Sequence, residues 1–336
     1  MKLVSSVILA AMTFSGIARP VHAEQRLDVI RKRGFLTCGV SAGVAGFAEV
    51  DAQGRYTGFD VDMCRALSAA IFGTPDKVKY LHAQSVQEFI KSNQIDVVSR
   101  RLTWSLPREG LGLLFGPVTF YDGQGFLVPT RMRVTNARQL SGAKVCVEPG
   151  TPAEFNLGSY FRANNLDLKK VLITSADEMA GAFKAGRCDA YTADVSELGA
   201  TRSKMPSPAD FEILADQISK EPLAQLVRQD DVPFFNILRW TVFATIDAEE
   251  LGINSTNVDD MLKSSNPDVR RLLGVTPGNG GALGLDEKWA YNIVKTLGNY
   301  GEIFERNVGK RSSIKLARGL NRLWTDGGLI YAPPLR

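Results

Sequence analysis

The chain has 336 residues, 44% of them apolar and 23% charged, with 40 basic and 36 acidic side chains giving a formal charge of +4. This is ordinary globular usage, which excludes disorder and fibrous repeats, and so weak a charge excess is no nucleic-acid footprint. Two histidines leave no room for a zinc enzyme built on imidazole ligands, and a chain of this length commonly divides into two lobes.

The first 23 residues read as a secretory signal peptide. A basic start, Met1-Lys2, is followed by an apolar or small stretch to Ile17 and by Val21-His22-Ala23, which has the small-x-small form of a cleavage site. Serines, a threonine and a glycine leave the apolar run too short for a spanning helix. Cleavage after Ala23 leaves Glu24 as the first residue and His82 as the sole histidine. No cysteine near the cut offers a lipid anchor.

Beyond the cut, the pattern is that of an α/β protein. Leu27 to Arg33 reads as a helix stopped by Gly34, Phe35 to Val40 as a strand, and Ser41 to Phe47 as a glycine- and alanine-rich loop. Gly54 turns a hairpin-like segment. Phe59 opens a helix closed by Gly73, Val78 to Leu81 is a strand, Val86 to Lys91 a short helix, and Ile95 to Val98 a strand. After a short strand at Phe126 to Val128 the plan repeats. Ala143 to Val147 is a strand, Gly150-Thr151-Pro152 a loop and Ala153 to Asn164 a helix. Val171 to Ile173 is a strand, Asp177 to Ala185 a helix, and Cys188 to Tyr191 a strand running into Asp194. Two such units facing one another make a cleft, with ligand sites outside the carboxyl ends of strands. From Phe234 onward the chain reads as mostly helical. Helices are expected at Phe235 to Gly252, Trp289 to Leu297, Tyr300 to Val308 and Ile314 to Trp324, with a turn-filled loop at Gly278 to Gly284.

Export makes the cysteines informative. Cys38, Cys64, Cys146 and Cys188 allow three pairings, or four buried thiols. If the chain has two lobes, Cys38–Cys64 and Cys146–Cys188 keep each bridge inside one, and each would stabilise by roughly 3–4 kcal/mol on the loop-entropy account.

Residues just past strand ends carry the candidate chemistry. Arg100, Arg101, Thr103 and Arg108 follow the strand ending at Val98, and a guanidinium there clamps a carboxylate with paired hydrogen bonds. The alternative is solvated surface charge. Asp194 suits an ammonium or, alternatively, a plain helix cap. Gly150-Thr151 offers N–H groups at a helix start. Phe47, Tyr56, Phe59 and Trp104 are candidates for packing on a ligand's aliphatic part, or for the core. No dinucleotide loop, Walker motif or Gly-x-Ser-x-Gly elbow is present, so no cofactor is expected.

Gly58-Phe59-Asp60-Val61-Asp62-Met63-Cys64-Arg65-Ala66-Leu67 resembles the signature of family-3 solute-binding proteins, the periplasmic receptors of polar amino acid ABC transporters. Segments LTCGVS (Leu36 to Ser41), YDGQGF (Tyr121 to Phe126), ISKEPL (Ile218 to Leu223), RRLLGV (Arg270 to Val275), NYGEIFERNV (Asn299 to Val308) and YAPPLR (Tyr331 to Arg336) resemble its general L-amino-acid-binding subgroup. The likeness spans Leu27 to Arg336. It implies a two-lobed, hinged, type II periplasmic binding protein. Lobe one takes residues 24–128, lobe two 129–227, and residues 228–336 return to lobe one and add a helical carboxyl-terminal extension. The crossings would fall near Phe126–Thr130 and Leu226–Gln229. The resemblance puts the ligand carboxylate on Arg108, its hydroxyl partner on Thr103 and the ammonium on Asp194, with Arg101 and Thr151 in the site. It further implies a transmembrane permease partner, a monomer, and no enzymatic activity.

Two departures from the subgroup stand out. Arg101-Leu102 replaces its usual Asn and Thr, and Pro152-Ala153 replaces its usual Thr-Thr. Lobe two thereby loses up to three donors, and Arg101 adds a charge, so a more acidic or more extended ligand is expected. Two other readings use the same fold. One is a periplasmic dehydratase, for which Glu49, Glu148 or Glu154 would be the general acid. The other is a sensor acting through a membrane partner.

Overall fold

The structure, a computed structural model, describes residues 25–41, 43–82, 89–90, 92–174 and 176–336. The expected signal peptide and most of the helix expected at Val86–Lys91 lie outside them. In chain order the strands are β1 (Leu36–Val40), β2 (Glu49–Val50), β3 (Tyr56–Thr57), β4 (Val78–His82), β5 (Val97–Val98), β6 (Leu113–Asp122), β7 (Gln124–Pro129), β8 (Lys144–Val147), β9 (Lys169–Leu172), β10 (Ala190–Asp194), β11 (Phe211–Ile213) and β12 (Glu221–Arg228).

Among the described residues they form two five-stranded sheets and one hairpin. The first sheet runs β4-β1-β5-β12-β6, with β1 parallel to β4 and β5, and β12 antiparallel to both its neighbours. The second runs β11-β7-β10-β8-β9, parallel from β10 through β9 and antiparallel at β7 and β11. β1 is buried at every position, as a parallel strand covered on both faces must be.

The helix Phe59–Phe72 covers the first sheet and is buried along nearly its whole length, with Asp60 and Asp62 in its first turn, where negative charge meets the positive helix end. Gly58 begins it at φ 131°, and a Cβ there would lie 2.3 Å from the Phe47 carbonyl, so no side chain fits. Helices Val232–Glu250, Trp289–Leu297 and Tyr300–Asn307 complete lobe one. An Asn299–Glu302 capping box starts the last of them. Phe47, Phe59, Phe120, Tyr300 and Phe304 interlock in one aromatic cluster beneath them. Disulfides Cys38–Cys64 and Cys146–Cys188 each lie within one lobe, with Cα separations of 6.3 and 5.6 Å.

The chain leaves the first sheet at Asp122 and enters the second at Gln124; it returns at Glu221, which pairs with Asp122. Both crossings precede the expected ones by a few residues. An apolar strand beside a hinge carries no mark of which sheet will claim it. The two passages are bonded to each other, the Ile218 N–H donating to the Gln124 carbonyl at 2.8 Å. The extension grips the same hinge. Asn321 Nδ2 donates to the Tyr121 carbonyl and its Oδ1 accepts from the Tyr121 N–H, at 3.0 and 2.6 Å. Farther along, Arg202 of lobe two donates to the Ile314 carbonyl at 2.9 Å, and Ile314 fills the space left by Gly199.

Three local expectations need correction. Ile314 to Trp324 is not a helix; only 3-10 turns form, at Gly319–Asn321 and Trp324–Asp326, because its backbone is spent on tethering contacts. Gly278 to Gly284 is not merely a loop but holds a short helix, Asn279–Leu283, whose first N–H groups rest on the Glu287 carboxylate. β6, β12 and the helix Val195–Ser203 were not anticipated. β6 spans ten residues with Gly116 and Pro117 inside it, which conceal the strand pattern.

Candidate ligand-binding cleft

Between the lobes lies a cleft of about 310 Å³. Arg101, Thr103 and Arg108 reach it from lobe one, Thr151 and Asp194 from lobe two. The loop after β5 presents the first three. Its base is Asp60, whose carboxylate accepts from the Ser99 hydroxyl at 3.2 Å and from the Arg101 backbone. Burial pushes Asp60 up to about 7, against the pull of Arg101 and the Ser99 bond. Arg101 itself has φ 56°, a left-handed conformation that favours glycine or asparagine.

Arg101 enters the cleft. Its guanidinium lies 5.3 Å over the Phe47 ring and 3.7 Å from the Asp194 carboxylate, with side chains 14% and 35% exposed respectively. Asp194 ends β10 and precedes the helix Val195–Ser203 without bonding that helix's N–H groups through its side chain. It is thus free to face the cleft, where a capping aspartate would not be. Burial, then the charge of Asp122, pushes its carboxyl up to about 7, with Arg101 opposing. Arg108 stands on the turn Leu106–Glu109 and is braced by donation to the Thr103 carbonyl at 2.6 Å. The Thr103 hydroxyl donates to Glu221 at 2.7 Å.

Lobe two offers less to an anion than its sequence promises. The Gly150 N–H is taken by Glu154 at 2.9 Å, and the Thr151 hydroxyl donates to the Glu148 carbonyl while capping the helix Pro152–Ala163. Phe47 is buried and meets the site only through Arg101, and Trp104 stacks on Phe115 at 6.1 Å; neither lines the cleft.

Several lining residues escaped sequence reasoning. Gln124, 1% exposed, donates to the Ala153 carbonyl at 2.9 Å and to the Thr192 hydroxyl at 3.0 Å, while its Oε1 has no partner among the described residues. Glu221, Glu197, Tyr191, Glu148 and Asn156 add to the polar lining, with the Tyr191 hydroxyl bonded to Glu197 at 2.7 Å. Gln124 lies inside the motif Tyr121 to Phe126 and Glu221 inside the motif Ile218 to Leu223, so both were within reach of a motif-based search. The cleft therefore sets two guanidiniums on one wall against a carboxylate-rich opposite side.

This geometry has known relatives. Residues 36–231 match the family described as bacterial extracellular solute-binding proteins, family 3. The general L-amino acid-binding periplasmic protein AapJ of Rhizobium johnstonii is 47% identical, covering 100% of this chain and 99% of that protein. The glutamate/glutamine/aspartate/asparagine-binding protein BztA of Rhodobacter capsulatus is 44% identical over 98% of this chain and 99% of its own length. A periplasmic binding protein of an ABC transporter from Brucella ovis, solved with glutathione bound, superposes with a TM-score of 0.84 at 45% identity, over 94% of this chain and 100% of that one. The protein is accordingly a periplasmic receptor that binds a small amino-acid-class molecule for an ABC importer and its membrane permease. The chain belongs to the bacterial extracellular solute-binding proteins of family 3.

Proposed function

We propose that the cleft binds an α-amino-acid zwitterion extended beyond a simple side chain, with its carboxylate on Arg108 and its ammonium on Asp194. The observation that carries this reading is the opposition of Arg101 and Arg108 on one wall to Asp194 on the other, with Arg101 and Asp194 already paired at 3.7 Å across the cleft. A zwitterion entering between them gives each charge a partner from the ligand and draws the lobes together.

The relatives at similar identity are described with different ligands, so identity alone does not select one. The lining argues for extension. Thr151 and Gly150 are already bonded within the protein, and Pro152 has no N–H, so lobe two has little left with which to clasp a second carboxylate closely. Its carboxylates favour instead a ligand rich in N–H donors. A γ-glutamyl peptide such as glutathione has an α-amino-acid head, amide donors and a distal carboxylate for Arg101. The protein works as a monomer in this reading.

Calorimetry with the twenty amino acids, dicarboxylates, opine-like conjugates and glutathione tests it. Glutathione or another extended zwitterion should bind tightest. Arg108→Ala and Asp194→Ala, with folding checked by circular dichroism, should each weaken that binding at least about a hundredfold, the loss of ~3 kcal/mol from a desolvated pair. If both variants bind within about threefold of the parent, the assignment is wrong.

A further inference from the structure

Away from the interlobe cleft, the last residues of the chain fold over the end of the helix Val232–Glu250 and enclose a second cavity of about 430 Å³. Asp247 lines it. This residue is only 9% exposed, and its Oδ2 has no hydrogen-bond partner among the described residues. Burial, reinforced by Glu250 and Asp268, pushes the Asp247 carboxyl up to about 7. A carboxylate so placed is expensive to leave unpaired.

The remaining lining says what would pair with it. Asp268 is satisfied by Arg271 at 2.7 Å, so those two charges cancel. Asp247 and Glu250 then outnumber the exposed guanidinium of Arg336, which leaves the lining net negative once both carboxyls are ionised. The aromatic walls are Trp324 and Tyr331, with ring centroids 5.7 Å apart and planes at 73°, both about half-exposed. Two ring faces at such a corner attract a cation with an apolar body. A metal ion fits less well, since no group of three or more side chains converges to ligate one among the described residues.

We infer that this cavity is a second binding site, taking a singly charged organic cation in which a protonated amine is carried on an apolar body. The amine bonds Asp247 and Glu250, and the body lies against Trp324 and Tyr331. The site is independent of how the interlobe cleft is read.

The four tryptophans make it testable by the indole N–H resonances of the ¹⁵N-labelled protein, with Trp324→Phe assigning the reporter and Trp104 serving as the control near the cleft. Phenethylamine, tyramine and cyclohexylamine are the probes, and phenethyl alcohol is the uncharged comparison. The expected result is saturable movement of the Trp324 signal with at least one amine, little with the alcohol, and affinity weakened about tenfold or more in Asp247→Asn and in Glu250→Gln. Because Asp247→Asn removes a buried charge that is unpaired once ionised, it should also raise the melting temperature of the protein without amine at about pH 8, and do so less at about pH 5. The inference is overturned if the Trp324 signal stays still up to ~10 mM amine, if the alcohol moves it equally, if only Trp104 responds, or if both variants bind within about twofold of the parent.

Discussion

Replacing Arg101 by asparagine tests the electrostatics of the cleft without any ligand. At 3.7 Å the Arg101–Asp194 attraction is about 4 kcal/mol at an effective dielectric constant near 20, and solvent reaching Asp194 screens it to about 1–2 kcal/mol. The contact over Phe47 adds ~0.5–1 kcal/mol. Against these losses, asparagine is at ease at φ 56° and recovers about 1 kcal/mol of backbone strain. The net loss is about 0.5–2 kcal/mol when the carboxylates are ionised. It depends on pH in a definite sense. Asp60 and Asp194 have folded pKa values raised from the usual carboxylate range to about 7, so the folded state holds more protons than the unfolded one and stability falls as pH rises through that window. Arg101 opposes both shifts, and its removal steepens the fall. Thermal unfolding of parent and Arg101→Asn should therefore nearly coincide at about pH 5 and differ by roughly 2–5 °C at about pH 8. A difference of constant size across that range, or one largest in acid, would refute the assignment of Arg101 as counter-charge to these buried aspartates.

Other consequences can be measured separately. Cys188→Ser opens the bridge across lobe two, whose cysteines are 42 residues apart, and should cost about 3–4 kcal/mol in chemical unfolding; an unchanged midpoint would contradict the bridge. Gln124→Ala removes two bonds that tie β7 to Ala153 and Thr192, and should weaken ligand binding by about tenfold while costing ~1–3 kcal/mol of stability; unchanged calorimetry would count against its place in the cleft. Asn321→Ala removes both bonds to Tyr121 and should speed amide exchange at the hinge strands; exchange confined to the carboxyl-terminal turns would show that the hinge does not depend on it.

The two-lobed α/β plan was legible because its signals are local. Glycines at 34 and 73 mark helix ends that the chain uses, and the buried runs of β1, β8 and β10 have no competing reading. The pairing of the cysteines followed from lobe membership alone. β6 was hidden by Gly116 and Pro117, and the stretch from Ile314 to Trp324 has apolar spacing that fits a helix, yet its groups bond other segments. The placement of Arg101, Thr103, Arg108 and Asp194 in one cleft could be anticipated from strand ends. The loss of Gly150 to Glu154 could not, whereas the core was already the open alternative for Phe47. Whether an N–H or a ring remains available depends on neighbours that sequence spacing does not reveal. Gln124 and Glu221 come from opposite ends of the two hinge passages and meet only once both sheets exist.

The contact of Arg202 with Ile314 bears on how the two halves move. Two adjacent, mutually bonded strands form a ribbon, and a ribbon yields in two ways, by folding across its width and by twisting along its length. A third attachment placed off the ribbon's line leaves folding possible but makes twisting stretch the tether. The carboxyl-terminal segment supplies such an attachment, anchored on lobe one through Asn321 and Tyr300 and reaching lobe two at Arg202. The molecule then behaves as a door on one axis instead of a joint with two freedoms. A membrane partner that reads both halves at once meets a single path of approach, along which the only variable is how far the door stands open.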